Sequence, residues 1–183
     1  MAHQRKLIRD AIVARLVGNT DAGDRVYSNR ATALRVLPAI LVYTQDESSR
    51  VFDEGPRTLE RTARISIEIA VQFTDEEQLD DRLDAIADQI ETLMHADEQL
   101  RDGEGVPLCS DAVLTGTEMQ VVDDGRQPIG AARLTYEVRY YTDAHADENL
   151  LPGLERVHFE YELPPAEGAA DDPDAADDVE LPQ

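Results

Sequence analysis

The sequence contains one cysteine, one lysine and no tryptophan, and these shortages exclude several kinds of site. Because Cys109 has no second cysteine to pair with, an intramolecular disulfide and a cysteine-based zinc cluster are both excluded. Its position beside Leu108 is more typical of a small core residue than of a nucleophile. No apolar run approaches the ~18 residues that cross a bilayer, and the first residues have no hydrophobic signal core. We therefore expect a soluble protein made in the cytoplasm.

Residue patterns that carry catalysis or hold a cofactor are equally scarce. The ten glycines are scattered and form no phosphate-binding loop, and no G-x-S-x-G motif is present. The pattern nearest to a metal site is an acidic cluster on the second predicted helix, in which Asp80, Asp84 and Asp88 repeat every four residues. The cluster is Asp75, Glu76, Glu77, Asp80, Asp81, Asp84 and Asp88. A solvated helix face is the simpler interpretation, because metal sites normally combine carboxylates from several elements. We predict no enzyme activity, no cofactor and no metal, with an acidic metal-dependent hydrolase as the least favoured alternative.

The charge of the chain is strongly negative and unevenly placed. The 39 acidic residues against 17 basic ones give a net charge of −22, which disfavours attraction to nucleic acid or to an anionic membrane. Residues 143–183 hold 13 of the acids and a single base, Arg156. Such an excess serves solubility, or it prevents a surface from binding nucleic acid, and composition alone does not separate the two interpretations.

Apolar spacing predicts an alternation of helices and hairpins. Two segments have helical spacing, the second starting at a capping box from Thr74 to Glu77, and the polar segment 45–57 ends in Gly55-Pro56, which is typical of a loop or a protruding hairpin tip. Strict period-two alternation over residues 63–73 is the clearest strand signal. The predicted helices are 3–17 and 74–98, and the predicted strands are 25–27, 37–44, 63–73, 112–122 and 130–142.

This order predicts an α+β fold, a two-layer sandwich with two amphipathic helices packed on a mainly antiparallel or mixed sheet of four to five strands. The α+β domain is expected to cover residues 1–142. Residues 143–163 form an extension with one candidate strand, which would pair with the domain's own sheet or with a neighbouring subunit. Residues 164–183 are rich in acids and proline, and we expect them to be disordered.

Several segments also match a known family in their order and spacing. The segments are Arg25-Val26-Tyr27, residues 37–47, Pro56-Arg57-Thr58-Leu59, residues 79–93, Thr115-Gly116-Thr117-Glu118 and residues 128–138. Together they resemble the lambda-like minor tail protein U family, the tail terminators of long-tailed bacteriophages. The resemblance covers residues 4–142, and none of the segments is chemically diagnostic alone.

The resemblance implies a structural virion protein. Members of the family form a hexameric ring that caps the tail tube, stops its polymerisation and forms the head–tail joining surface. The implied partners are further copies of the chain, the tail tube protein and the head–tail connector protein, without sequence-specific nucleic-acid binding or membrane binding. The implied location is the head-proximal end of the virion tail, after assembly in the host bacterial cytoplasm. The extension from residue 143 onward is not part of the family's common core.

Two groups of residues are candidates for this assembly role. The first group is a candidate subunit or tube interface, and the alternative interpretation is an ordinary solvated hairpin. The second group is a candidate acidic lumen face past which DNA slides, and the alternative interpretation is a solvated helix face. Other functions left open are a tail-completion or neck protein and an acidic DNA-mimic or inhibitory binding module. The interface residues are Arg50, Phe52, Arg57, Arg61 and Arg64, and the lumen residues are Asp80, Asp84 and Asp88.

Overall fold

The computed structural model divides the chain into two units, Met1–Ala144 and His145–Gln183. The first ends two residues beyond the domain boundary expected from the sequence. The described residues are 3–28, 36–72, 79–122 and 129–144, together with the backbone of 156–161 and 175–180.

The first unit contains two helices and five strands. In chain order they are α1 (Gln4–Leu16), β1 (Val26–Tyr27), β2 (Ala39–Glu54), β3 (Arg57–Gln72), α2 (Leu79–His95), β4 (Asp111–Val122) and β5 (Ile129–Asp143).

The five strands form one mixed sheet in the order β1-β2-β3-β5-β4. Only the β1–β2 pair is parallel, and the other three pairs are antiparallel. The central strand β3 owes its position to its sequence, since Ala63, Ile65, Ile67, Ile69 and Val71 alternate and are all fully buried on one face. Each isoleucine buried in this way contributes roughly 1.5–3 kcal/mol. The predicted α+β fold with a mixed sheet is confirmed.

Both helices contribute their apolar sides to the same core as the buried face of the sheet. Helix α1 contacts β2 and buries Ile8, Ile12 and Leu16, while α2 contacts β3 and β5. Helix α1 begins at His3, whose side chain accepts a hydrogen bond from the Arg5 N–H. Helix α1 ends at Leu16, and Gly18 follows with a φ of 72°, which glycine adopts without strain.

Helix α2 contacts β3 and β5, and its buried residues are Leu79, Leu83, Ile86, Ala87, Ile90 and Met94. Leu79 lies so close to Gly130 of β5 that a Cβ atom there would be 2.2 Å from Leu79 Cδ1, so any other residue requires the Leu79 side chain to move. The predicted capping box, Thr74 to Glu77, lies outside the described residues. In the described part of the chain, neither helix is long and apolar enough to span a membrane.

Strands β2 and β3 form a hairpin much longer than the sequence suggests. Their pairing continues to Glu54 opposite Arg57, with register shifts between Thr44 and Asp46 and between Val51 and Asp53. Of the two alternatives for residues 45–57, the loop was therefore wrong, and the turn of the hairpin is Gly55-Pro56. Polar residues extend the strands here because β3 pairs with β5 as far as Thr58 opposite Asp143, which gives the hairpin a neighbour along most of its length.

Strand β4 is an edge strand whose apolar alternation is broken by a register shift between Leu114 and Gly116. Before the shift, Val113 pairs with the exposed Glu137 and lies on the outer face of the sheet. After it, Met119 pairs with the buried Ala132 and lies on the helix-covered face. The alternating residues of this strand thus do not share one face.

The second unit contains strands β6 (Arg156–Tyr161) and β7 (Ala175–Glu180), which pair antiparallel as a two-stranded sheet. The predicted extra strand corresponds to β6, but its partner is β7 and not the five-stranded sheet. We expected no regular structure in residues 164–183, and the structure instead has β7 there. Composition does not reveal such a pairing, because β7 is a strand only through its hydrogen bonds with a distant segment.

Candidate assembly surface

An exposed apolar patch lies at the turn end of the β2–β3 hairpin. Val51, Phe52 and Tyr141 are 44 %, 61 % and 43 % exposed, respectively. The rings of Phe52 and Tyr141 meet edge to face with centroids 4.9 Å apart, so Phe52 has a defined position although it is exposed. We call Phe52 and Tyr141 the end patch, since Val51 pairs with Leu59 and lies on the other face of the sheet from Tyr141, which pairs with Glu60. Exposed aromatic residues in fixed positions are enriched in protein–protein interfaces.

The charged residues beside the end patch already have partners within the chain. The Arg50 guanidinium lies 2.8 Å from Glu60, whose carboxylate also accepts a hydrogen bond of 3.3 Å from the Tyr141 hydroxyl. Arg57 pairs with Glu54 at 3.3 Å. The side chain of Arg50 is nevertheless 74 % exposed, so its charge is accessible at the rim of the patch.

The buried carboxylate of Glu47 fixes the part of the β2–β3 hairpin that lies away from the turn. The side chain of Glu47 is only 7 % exposed, lies 2.8 Å from Arg61 and 3.6 Å from Arg5 of α1, and accepts a hydrogen bond from the Tyr140 hydroxyl. Burial acts to raise the pKa of Glu47, but the hydrogen bonds from Tyr140 and Arg61 and the charges of both arginines lower the pKa below its ordinary value. Burial and the neighbouring carboxylate raise the pKa of Tyr140. This network joins α1, β2, β3 and β5.

The structure brings three of the five predicted interface residues to the end of the hairpin. Arg50, Phe52 and Arg57 lie there together, on either side of the turn. Arg61 is bound by Glu47 and by Thr142 on the helix-covered face, and Arg64 lies on the outer face, 3.5 Å from Asp46. The interface role of these residues stays a prediction.

The three predicted lumen residues are all exposed on one side of α2. Asp80, Asp84 and Asp88 are four residues apart and therefore lie one above another. In the part of the chain that the structure describes, no group of three or more His, Cys, Asp or Glu residues is placed to hold a metal ion. Their role in lining a lumen stays a prediction.

A groove of about 580 Å³, which the sequence does not signal, runs between α1 and the segment after α2. Leu7, Ala11 and Leu93 are among its apolar lining residues. Arg15 at its side bonds to Asp97 at 2.7 Å, and so does Arg101 at 2.8 Å. The Arg101 backbone N–H and the Arg15 guanidinium hold the pKa of Asp97 below its usual value, against the effect of burial. Arg15 thus joins α1 to α2 and to the segment after it, through the Leu93 carbonyl and Asp97, while the Arg101 pair lies within that segment.

Cys109 has the environment of a structural thiol. It is 6 % exposed, and its Sγ donates to the Glu98 carbonyl at 3.4 Å. Burial raises the pKa of the thiol to about 12, so almost none of it is thiolate near neutral pH. This environment agrees with the core role expected from the sequence.

Comparison with known proteins adds no family to these observations, since no family model matches the chain and no curated protein is significantly similar to it.

Proposed function

We propose that this chain is a tail terminator of a long-tailed bacteriophage, a structural virion protein. In this proposal, six copies form a ring on the completed tail tube, stop its polymerisation and present a joining surface to the head connector. The sequence resemblance over residues 4–142 motivates the proposal. The observation that carries it is the end patch, where Phe52 is held against Tyr141 at an exposed end of the sheet.

The end patch has the composition of a docking surface. Two aromatic residues in contact form its apolar centre, Arg50 lies at its rim and Arg57 lies at the adjacent turn, and both cations are paired within the chain. An apolar centre with a charged rim is the usual anatomy of a protein interface, and aromatic and arginine residues dominate its binding energy. We assign this patch to contact with the tail tube.

The net charge suits the same role. DNA must pass through a terminator ring without binding to it, and a chain at −22 repels phosphate groups. The same charge makes the copies repel one another at long range, so assembly should become easier as salt screens that repulsion.

Native mass spectrometry of the full chain, over a range of salt and with or without isolated tail tubes, tests the proposal. A closed oligomer, formed alone or only on tubes, is the expected result. A chain that stays monomeric and never binds tubes would overturn the proposal.

A pair of variants tests the end patch itself. Phe52→Glu should abolish capture by tubes, because it places a charge at the centre of the apolar patch. Val106→Glu introduces the same charge at another apolar residue, which is 52 % exposed in the segment after α2, and should leave capture unchanged. Equal capture of both variants would remove the end patch from the tube contact.

A further inference from the structure

The two helices carry opposite charges on sides that face away from each other. Helix α1 lies beside β2, near one edge of the sheet, and α2 lies on β3 and β5, nearer the other edge. Each edge of the sheet is therefore accompanied by one charged helix side.

Beside the first edge, which we call the β2 flank, α1 carries three basic residues, and among the described residues two of them pair with acids of the chain whereas Arg9 does not. Arg5 and Arg9 lie four residues apart on one side of α1 and reach β2, where Arg9 donates to the Thr44 hydroxyl at 3.1 Å and Arg5 lies near Glu47. The neighbouring Lys6 is exposed and pairs with Asp10. The opposite side of α1 faces α2, because Arg15 donates to the Leu93 carbonyl. The flank consists of Arg5, Lys6, Arg9 and the outer edge of β2.

The second edge, the β4 flank, is acidic. Asp80, Asp84 and Asp88 lie along one side of α2, and Glu91 continues the row three residues later. This side is turned from α1, since Gln89 on the other side accepts a hydrogen bond from the Asp21 N–H in the segment after α1. Burial and the charge of Glu91 raise the pKa of Tyr136 in β5, which agrees with an acidic row on the β5 side of the helix.

Strand β4 adds apolar surface to the acidic row. Met119 is 47 % exposed and Val121 is 60 % exposed, although both pair with residues of the helix-covered face of β5. They are exposed because α2 contacts β3 and β5, and among the described residues no element covers this part of β4. The flank consists of Asp80, Asp84, Asp88, Glu91, Met119 and Val121.

The strand edges on the two flanks also match. In the described residues β1 pairs with Ile40 and Leu41 of β2, residues 46–54 of β2 pair only with β3, and β4 pairs only with β5. Two antiparallel steps make β2 and β5 parallel, so β4 runs antiparallel to β2. A second copy placed beside the first with its strands in the same orientation would thus present β4 antiparallel to the β2 edge of the first. Unpaired edges of this kind favour strand addition by another chain.

We infer that the β4 flank of one copy docks on the β2 flank of a second copy, in a head-to-tail contact between acidic α2, basic α1 and the two strand edges. The inference rests on the proposed function, because a closed ring needs a heterologous contact of this kind. The two surfaces in that contact are the β2 flank and the β4 flank. The contact covers Met119 and Val121. It also covers Asp80, Asp84 and Asp88, so it replaces the lumen role expected for these residues from the sequence.

Charge reversal on each flank tests the contact. In Arg9→Glu, the new carboxylate would face Asp84 of the next copy, and in Asp84→Arg two guanidinium groups would face each other. Each single variant should raise the dissociation constant of self-association by roughly tenfold or more, because like charges within an interface are strongly unfavourable. An equimolar mixture of the two variants should restore association, because every contact in an alternating ring then pairs opposite charges. An even-membered ring permits this alternation.

The measurement is sedimentation velocity and native mass spectrometry of the full chain at fixed salt, with tail tubes added if the wild type assembles only on them. Glu104→Arg is the control, since it makes the same kind of reversal at an exposed turn outside both flanks and should associate as the wild type does. Thermal unfolding of each variant confirms that it is folded.

The outcomes separate the two proposals. If the wild type assembles and both reversals assemble equally well, or if the mixture fails to restore assembly, the flank contact is refuted while the terminator function stands. If the wild type assembles neither alone nor on tubes, both are refuted.

Discussion

Replacing Glu47 with glutamine should destabilise the first unit by about 2–3 kcal/mol at pH 7. The side chain is 7 % exposed and its carboxylate binds Arg61, Arg5 and the Tyr140 hydroxyl. Glutamine keeps the shape but removes the charge, which leaves two guanidinium groups without their common counter-ion. Removing one partner of a fully buried pair costs about 3–5 kcal/mol. The loss expected for Glu47→Gln lies below that range because Arg61 and Arg5 are 26 % and 39 % exposed and stay partly hydrated.

Urea unfolding followed by circular dichroism measures this loss, with Glu54→Gln as the matched control. Glu54 makes the same type of pair, with Arg57 at 3.3 Å, but its side chain is 74 % exposed, so the control should lose at most ~0.5 kcal/mol. For a unit of this size, a loss of about 2 kcal/mol corresponds to a fall in Tm of roughly 4–8 °C. Equal stability of the two variants would refute the view that the Glu47 network fixes the β2–β3 hairpin.

The stability difference between the wild type and Glu47→Gln should depend on pH. Because the folded-state pKa of Glu47 lies below its ordinary value of 4.5, the ionised carboxylate stabilises the fold fully above that value. The contribution is lost as pH falls through the lowered folded-state pKa. The difference in stability between wild type and Glu47→Gln should therefore be constant from pH 7 to about pH 5 and should shrink in more acidic solution. A difference that grows on acidification would contradict this assignment.

Two further predictions concern the core. Gly130→Ala should cost about 1–3 kcal/mol in urea unfolding, because the new methyl group overlaps Leu79 Cδ1, whereas Gly116→Ala, with no atom within 4 Å of the new Cβ, should change stability far less. Equal losses would show that the α2–β5 contact is looser than described. The Cys109 thiol, with a pKa of about 12, should not react with iodoacetamide at pH 8 in the folded protein and should react after unfolding. Rapid labelling of the folded chain, followed by mass spectrometry, would contradict its burial.

Local periodicity accounts for the part of the fold that the sequence predicts. Ile65, Ile67 and Ile69 alternate because each is buried on one face, and Leu83 and Ile90 repeat because α2 has one buried side. The length of the β2–β3 hairpin has no such local signal. Apart from Val51 and Phe52, residues 45–54 are polar, and they are a strand because β3 is held by β5 along its other edge. Pairing between distant strands overrides local composition there.

The candidate interface shows the same limit. Arg61 and Arg64 are an odd number of residues apart, so any strand through both places them on opposite faces, and the sequence alone was enough to separate them once the strand was assumed. The contact of Phe52 with Tyr141 could not be predicted in this way. It depends on the register of β3 against β5, which places Tyr141 opposite Glu60 near the hairpin end.

The charged flanks depend on strand order more than on any local pattern. Helical spacing predicts both the basic side of α1 and the acidic side of α2, and the sequence alone would suggest that these two sides form ion pairs with each other. Had the helices met through these sides, the charges would have been paired within the chain. The order β2-β3-β5-β4 instead places α1 and α2 so that Arg9 faces one edge of the sheet and Asp84 the other. Their mutual attraction is therefore available to a second copy of the chain, and this is why topology, and not composition, carries the inference of head-to-tail assembly.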